Sequence, residues 1–319
     1  MNEHFLTDIE IKEFKCFTDF KAEGFKRVNL IGGKNNIGKT AFMEACYINL
    51  HSKDINTMLT ALGKTRHNRE TVNLSVENYS NLFFVNSIKD YKANSNLVES
   101  SFSINKTGWK VEYVFSIDNK ETILQRDEVE SFDITYAPNI YFIDNYGLTN
   151  YQLNQAFQSI QKQDKESELN GFIHAFDSNI ESFKVIGDKP LCKSKNEYFE
   201  ITEFGDGLKH YISIICALYA SKEGYLFIDE IENGIHHIQI DRFWEIILTL
   251  AKQNNCQVFT TTHSKETLES FARVCKKIEE RDISYTTLVK NKQQDIKALT
   301  RDYDMISDSL ENGRELRGW

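Results

Sequence analysis

Two hydrophobic rhythms divide this chain. Residues 8–14 (Asp-Ile-Glu-Ile-Lys-Glu-Phe) alternate polar and apolar, the two-residue period of a half-buried strand, and residues 16–20 and 28–31 continue as strands. Residues 40–50 change to a helix-forming run, and residues 51–80 are polar and mixed, a helix passing into a loop. Strand signals then dominate at 82–85, 101–104, 109–117, 122–124 and 140–143, with turn residues such as Asp118-Asn119 between them. Residues 150–182 return to helical spacing, through Leu153, Phe157, Ile160, Phe172, Ile173, Phe176 and Ile180. The last third differs again. The short apolar runs 225–228 and 257–259 have the pattern of strands buried on both faces of a parallel sheet, and helical stretches 207–221, 236–253 and 265–278 surround them. Alternating strand and helix predicts βαβ units and the α/β class.

Between the strand at 28–31 and the helix at 40–50 lies the octapeptide Gly33-Lys34-Asn35-Asn36-Ile37-Gly38-Lys39-Thr40, which reads G-x-x-x-x-G-K-T. A strand, this loop and a helix in sequence form a phosphate cradle. The glycines let backbone N–H groups, including those of Asn35 and Asn36, turn onto phosphate oxygens at a helix N-terminus. Lys39 would reach the β- and γ-phosphates, and the Thr40 hydroxyl would bind Mg2+. The expectation is a P-loop NTPase that takes a nucleoside triphosphate and Mg2+.

Three later segments extend this site. Residues 225–228 end in Asp229-Glu230, which places Asp229 near the metal and Glu230 near the attacking water. The strand through Val258 and Phe259 runs into Thr260-Thr261-Thr262-His263-Ser264, where an imidazole could contact the γ-phosphate. Gly205-Asp206-Gly207 opens the helix at 207–221 and is a second phosphate-binding candidate. The fold is therefore split within one domain spanning 1–319. Residues 1–50 carry the N-terminal strands and phosphate loop, 51–200 form an inserted β-plus-helical lobe, and 201–319 carry the remaining site.

Composition adds bounds rather than direction. The 319 residues, 40% hydrophobic and 27% charged, suit a soluble globular chain, and no apolar run approaches the ~20 residues of a membrane span. The start, Met1-Asn2-Glu3-His4, lacks an export-signal pattern, so a cytoplasmic location is expected. Six scattered cysteines show neither metal-ligand spacing nor a disulfide framework, the pattern of reduced buried thiols. A net charge of −9 argues against a basic coat for indiscriminate DNA binding but leaves room for a local nucleic-acid groove.

In order, these elements resemble the ABC-type ATPase heads of the SMC, RecF and OLD families, most of all the stand-alone AAA-family, OLD-like proteins of bacterial defence systems. The resemblance rests on residues 11–17, the phosphate loop, residues 205–209, 227–236 and 261–264. It implies an ABC-ATPase head with a mixed or parallel core sheet and an N-terminal antiparallel β lobe. It also implies a homodimer or higher homo-oligomer with ATP sandwiched between subunits. Glu230 would then be the catalytic acid, His263 the switch residue, residues 205–209 the signature acting in trans, and Gly234-Ile235-His236 the loop meeting the partner. Gly205 stands where the signature usually has serine, and Asp206 where glycine is commoner. The family's glutamine falls nearest to Gln152 or Gln155.

The chain ends about 55 residues past His263, which leaves little room for an OLD-type nuclease domain. Asp302-Tyr303-Asp304 reads as the start of a closing acidic helix, so a separate effector, a nuclease or toxin, is the expected partner. Lys106, Trp109 and Lys110 are too few charges for a nucleic-acid patch and read as a hairpin. His236-His237, read as helical neighbours, would diverge and form no metal pair. The competing functions are a switch ATPase controlling an effector, a RecF-like ATPase that clamps DNA, and a scaffold that binds ATP with little turnover.

Overall fold

A computed structural model describes residues 4–70, 90–132 and 135–312. Strands β1 (Asp8–Phe14), β2 (Phe17–Glu23) and β3 (Val28–Gly33) lead into helix α1 (Lys39–His51). Helix α2 (Ile55–Glu70) follows, and then β4 (Tyr91–Ser95), β5 (Glu99–Thr107), β6 (Lys110–Ile117) and β7 (Lys120–Leu124). After a short α3 (Arg126–Glu130) come β8 (Ile140–Ile143), α4 (Asn150–Gln161), α5 (Glu166–Phe176) and a hairpin sheet of β9 (Ser182–Ile186), β10 (Lys189–Ser194) and β11 (Glu197–Glu200). The chain closes with α6 (Asp206–Ala220), β12 (Tyr225–Ile228), α7 (Ile240–Gln253), β13 (Gln257–Thr261), α8 (Lys265–Lys277), β14 (Ile283–Lys290), β15 (Ile296–Asp302) and α9 (Tyr303–Glu311).

Two six-stranded sheets organise these elements. The core sheet runs β15-β14-β3-β13-β12-β8, with five parallel strands and β15 antiparallel at one edge. The second sheet, β2-β1-β4-β5-β6-β7, is antiparallel throughout. Helix α1 is buried on every face except at Thr40, because it is packed between layers rather than on a surface. Along β12, Leu226 and Ile228 face the core under α6 and α7, while Tyr225 and Phe227 face the core around α1. This two-residue alternation splits each apolar run between two cores. On the α1 side, Phe142, Phe227 and Phe259 stack across neighbouring strands, with ring centroids 5.9 and 5.3 Å apart.

Several expectations change. The β part of the 51–200 segment is not separate from the N-terminal strands, since β4 pairs with β1 and makes one sheet of both. From the same segment, β8 joins the core sheet beside β12. The expected helix at 150–182 is two helices followed by β9, and the hairpin sheet β9–β11 carries no strong apolar run. Strands β14 and β15 were not expected, since β14 interrupts its apolar residues with Ser284, Tyr285, Thr286 and Thr287, and the β preference of Tyr and Thr comes from side-chain shape rather than oiliness. The helix read at 236–253 begins at Ile240, so His236 and His237 lie in a turn, and their rings sit 4.2 Å apart instead of diverging. Trp109 forms the fully exposed tip of the β5–β6 turn. None of the six cysteines is in a disulfide, and all but Cys16 are buried. The strand expected at 82–85 lies outside the described residues.

Candidate nucleotide site

The parallel register assembles the site. Ile31 pairs with Thr261, and Ile228 pairs with both Thr260 and Ile143. The carboxyl ends of β3, β13, β12 and β8 therefore deliver Gly33, Thr261, Asp229 and Asp144 to one sheet edge, where open α/β sheets place their ligands.

Beyond β3 the chain turns through Asn36 (φ 59°) and Gly38 (φ 109°) into α1. At Gly38 a side chain would also strike the Cys16 sulfur, since an added Cβ would lie 2.6 Å from it. Lys39 Nζ folds back over the loop and donates to the carbonyls of Gly33 at 3.0 Å and Lys34 at 3.3 Å. Burial lowers the Lys39 pKa, while Asp229, Glu230 and Glu232 act to raise it.

Asp229 is the hub. Its Oδ2 accepts from the Thr40 hydroxyl at 2.9 Å, and its Oδ1 accepts from the Thr261 hydroxyl at 2.6 Å. Burial raises the Asp229 pKa, these two hydroxyls lower it, and neighbouring Glu230 raises it. Thr261 Oγ1 also accepts from the Glu230 backbone N–H at 2.8 Å, so one threonine fixes both acids. Glu230 has φ 51°, a left-handed backbone that costs a residue with a side chain. Its carboxylate is held on two sides: Asn145 Nδ2 donates to Oε2 at 3.1 Å, and His263 Nδ1 lies 3.7 Å from Oε1. A cavity of about 560 Å³ joins Lys39 and Thr40 to Asp229 and Glu230, with Lys15, Cys16, Asn35 and Asn36 at its mouth.

Four contributors to this geometry escaped the sequence reading. Thr261, the last residue of β13, and Asn145, just past β8, are uncharged, and only strand pairing reveals what they face. Glu232 Oε1 accepts from the Thr262 hydroxyl (2.9 Å) and from the backbone N–H groups of His263 (3.0 Å) and Ser264 (3.2 Å), while His263 Nδ1 lies 3.2 Å away. It thereby shapes the turn that carries His263. Asp144 is half-buried beside this group, and its pKa is raised by burial. Gln152 and Gln155 correct the sequence reading in the other direction. Gln152 closes a capping box with Thr149 at the start of α4, and both line a different cavity. The carboxamide that meets Glu230 is that of Asn145.

Gly205 (φ 91°) and Asp206 are exposed at the uncapped N-terminus of α6. Gly207 is tied to its own chain: a Cβ there would lie 2.3 Å from the Gly234 carbonyl oxygen, and a Cβ on Gly234 would lie 2.3 Å from the Gly207 Cα. Two glycines here let the signature segment and the loop after Glu230 touch backbone to backbone.

Comparison with known proteins gives this architecture a context. A structure of an SMC head bound to the C-winged helix domain of ScpA superposes with a TM-score of 0.55 at 11% identity, covering 94% of this chain and 99% of that one. An SMC head with an extended coiled coil, bound to the C-terminal domain of ScpA derived from Pyrococcus furiosus, gives 0.53 at 12% identity over 97% and 99% of the two chains. This is the fold of an ABC-type ATPase head. Residues 114–269 match the family described as "AAA domain, putative AbiEii toxin, Type IV TA system". That span includes β8, residues 205–207, Asp229, Glu230 and His263, and the phosphate loop lies before it. An "ATP/GTP phosphatase" of Helicobacter pylori is 26% identical over an alignment of 374 positions, covering 98% of this chain and all of that protein. Among the described residues, no helix is long and apolar enough to cross a membrane.

Proposed function

We propose that this chain is a switch ATPase that hydrolyses ATP at the Thr40–Asp229 edge of the core sheet. The observation that carries the reading is the hydroxyl–carboxylate–hydroxyl chain from Thr40 through Asp229 to Thr261, with Glu230 hung from the same threonine. Thr40 and Asp229 present a hydroxyl and a carboxylate oxygen together, a donor set that fits Mg2+. Bound there, Mg2+ would neutralise charge on the phosphate oxygens. Backbone N–H groups from Gly33 to Gly38, with Asn35 and Asn36, cradle the phosphates, and Lys39 leaves its own loop's carbonyls for the β- and γ-phosphates. Glu230 accepts the proton of a water as its oxygen attacks the γ-phosphorus and the bond to the ADP oxygen breaks. Asn145 and His263 hold the Glu230 carboxylate in position. The name of the Helicobacter pylori relative supports phosphate release and leaves both ATP and GTP as candidate substrates.

In the same proposal two copies meet head to tail, with Gly205, Asp206 and Gly207 of one facing the phosphate loop of the other, and the closed state controls a separate effector in antiviral defence. The exposed α6 N-terminus, which no side chain caps, supports the head-to-tail arrangement, since a first helical turn suits a phosphate from outside the chain. The test is Glu230→Gln. Turnover should fall on the order of 10²–10⁴-fold with ATP binding retained, and an ATP-dependent dimer should accumulate in light scattering. Normal hydrolysis by this variant would remove Glu230 from its role. Retained ATP affinity in Lys39→Ala would remove the phosphate loop from its own.

A further inference from the structure

A second cavity, of about 450 Å³, opens between α4 and the segment leading into β8, away from the phosphate loop. At its base lies Lys64 of α2, 9% exposed. We propose that this cavity binds a small planar anion, an aromatic ring carrying a phosphate or carboxylate, with the Lys64 ammonium as its counter-ion.

The ammonium is the first ground. Lys64 Nζ makes one long hydrogen bond, 3.5 Å to the Phe142 carbonyl, and no carboxylate among the described residues lies within ion-pair distance. An ammonium has three donors, and a buried one without an anion is costly, so folds seldom keep it without a use. Ring faces lie beside it, Tyr47 at 5.5 Å and Tyr136 at 5.7 Å, and Asp144 acts on it from beyond ion-pair distance. Charge balance is the second ground. Among the described residues the lining includes Lys64 and Lys162 and no acid, in a chain of 47 Asp and Glu against 38 Lys and Arg. The third is shape and surface. Tyr136 and Tyr151 stand at the wall 44% and 69% exposed, large rings left in water beside a cavity of ordinary ligand size. Stacking on such rings selects a planar partner. The carboxamides of Gln155 and Gln158 line the same space and supply polar contacts for its edge.

The cavity is also placed to be felt at the nucleotide site. The Phe142 carbonyl that meets Lys64 is two residues before Asp144, on which Lys64 acts electrostatically, and three before Asn145, which holds Glu230. The binding proposal stands apart from hydrolysis and survives or fails without it.

Phenyl phosphate, a planar ring carrying a phosphate, is the probe, read by its protection of Lys64. Reductive methylation needs a neutral amine: formaldehyde condenses with it, releasing water, and borohydride reduces the C=N bond to a methylamine. Burial lowers Lys64 to about 8, so at pH 8 roughly half of it is neutral, against under ~1% for an ordinary lysine. A phosphate paired with the ammonium holds that proton in place. Peptide mapping of the wild-type full chain should therefore show Lys64 methylation slowed about ten-fold or more, saturably, by phenyl phosphate, with exposed Lys222 unaffected. Benzyl alcohol, which lacks the phosphate, should give no protection, and Tyr136→Ala or Gln155→Ala should weaken the protection by phenyl phosphate. Lys64 methylation unchanged by phenyl phosphate would overturn the proposal. Equal protection by benzyl alcohol would do the same, since it would mean an apolar pocket without an anion site.

Discussion

Acid should loosen this protein well above the range in which carboxylates titrate, because two histidines are folded into its interior uncharged. His51 closes α1 with its ring 1% exposed, and its Nδ1 bonds to the Tyr47 carbonyl at 2.8 Å. A carbonyl can only accept, so Nδ1 carries the proton of the neutral ring. Nε2 is buried without a partner among the described residues. A proton added there would be a buried cation near Lys64 and Lys53, and burial, the largest influence, holds His51 down to about 4. His210 on α6 is fully buried and is likewise held at about 4. Both folded values lie below the ordinary 6.5, so between pH 6.5 and 4 the unfolded chain binds more protons. Stability is then complete above 6.5 and falls as the pH drops.

Each ring costs about 2 kcal/mol at pH 5 and about 3 at pH 4, so the pair costs roughly 4 and then 6, against a typical total of 5–15. Asp144 and Asp229, with raised folded values, act in the opposite sense, and the two histidines set the useful window at pH 7 to 5. Urea unfolding across it should show wild-type stability dropping by about 4 kcal/mol. His51→Asn keeps a donor for the Tyr47 carbonyl and cannot titrate, so it should lose about half as much. A flat wild-type profile, or an equal slope in His51→Asn, would refute the argument.

Two further outcomes follow from the site. Asn145→Ala removes the hydrogen bond to Glu230 without touching the phosphate loop. Steady-state kinetics should show kcat reduced about 10- to 100-fold with KM nearly unchanged, and an unchanged kcat would show that the carboxamide does not position the acid. Gly207→Ala drives a methyl to 2.3 Å from the Gly234 carbonyl oxygen, backbone that cannot swing aside. The variant should lose about 1–3 kcal/mol by thermal unfolding, and a wild-type Tm would mean that the two loops separate easily.

Much of the site was legible because its charged members sit at the ends of strongly apolar strands. Lys39, Thr40, Asp229, Glu230 and His263 could each be marked from a strand followed by a polar break. What could not be read was which strands adjoin. That is a matter of pairing, and pairing placed Thr261 beside Asp229 and brought Asn145, at the end of β8, against Glu230. That the β segment after residue 90 joins the N-terminal strands was hidden for the same reason. Sequence order separates β4 from β1 by an entire phosphate loop and two helices, yet they are neighbours in one sheet. Local pattern predicts elements, and long-range closure decides their company.

The glycines show how far a motif can be read from chemistry alone. Gly205-Asp206-Gly207 was expected to owe its glycines to phosphate contact, and for Gly205, with open space around it, that reading still fits. Gly207 has a sufficient reason inside its own chain, the backbone of Gly234 pressed against it. Gly234 comes four residues after Glu230, and Gly207 sits in the first turn of α6, so the helix N-terminus and the loop after the acid meet through backbone rather than through a side chain.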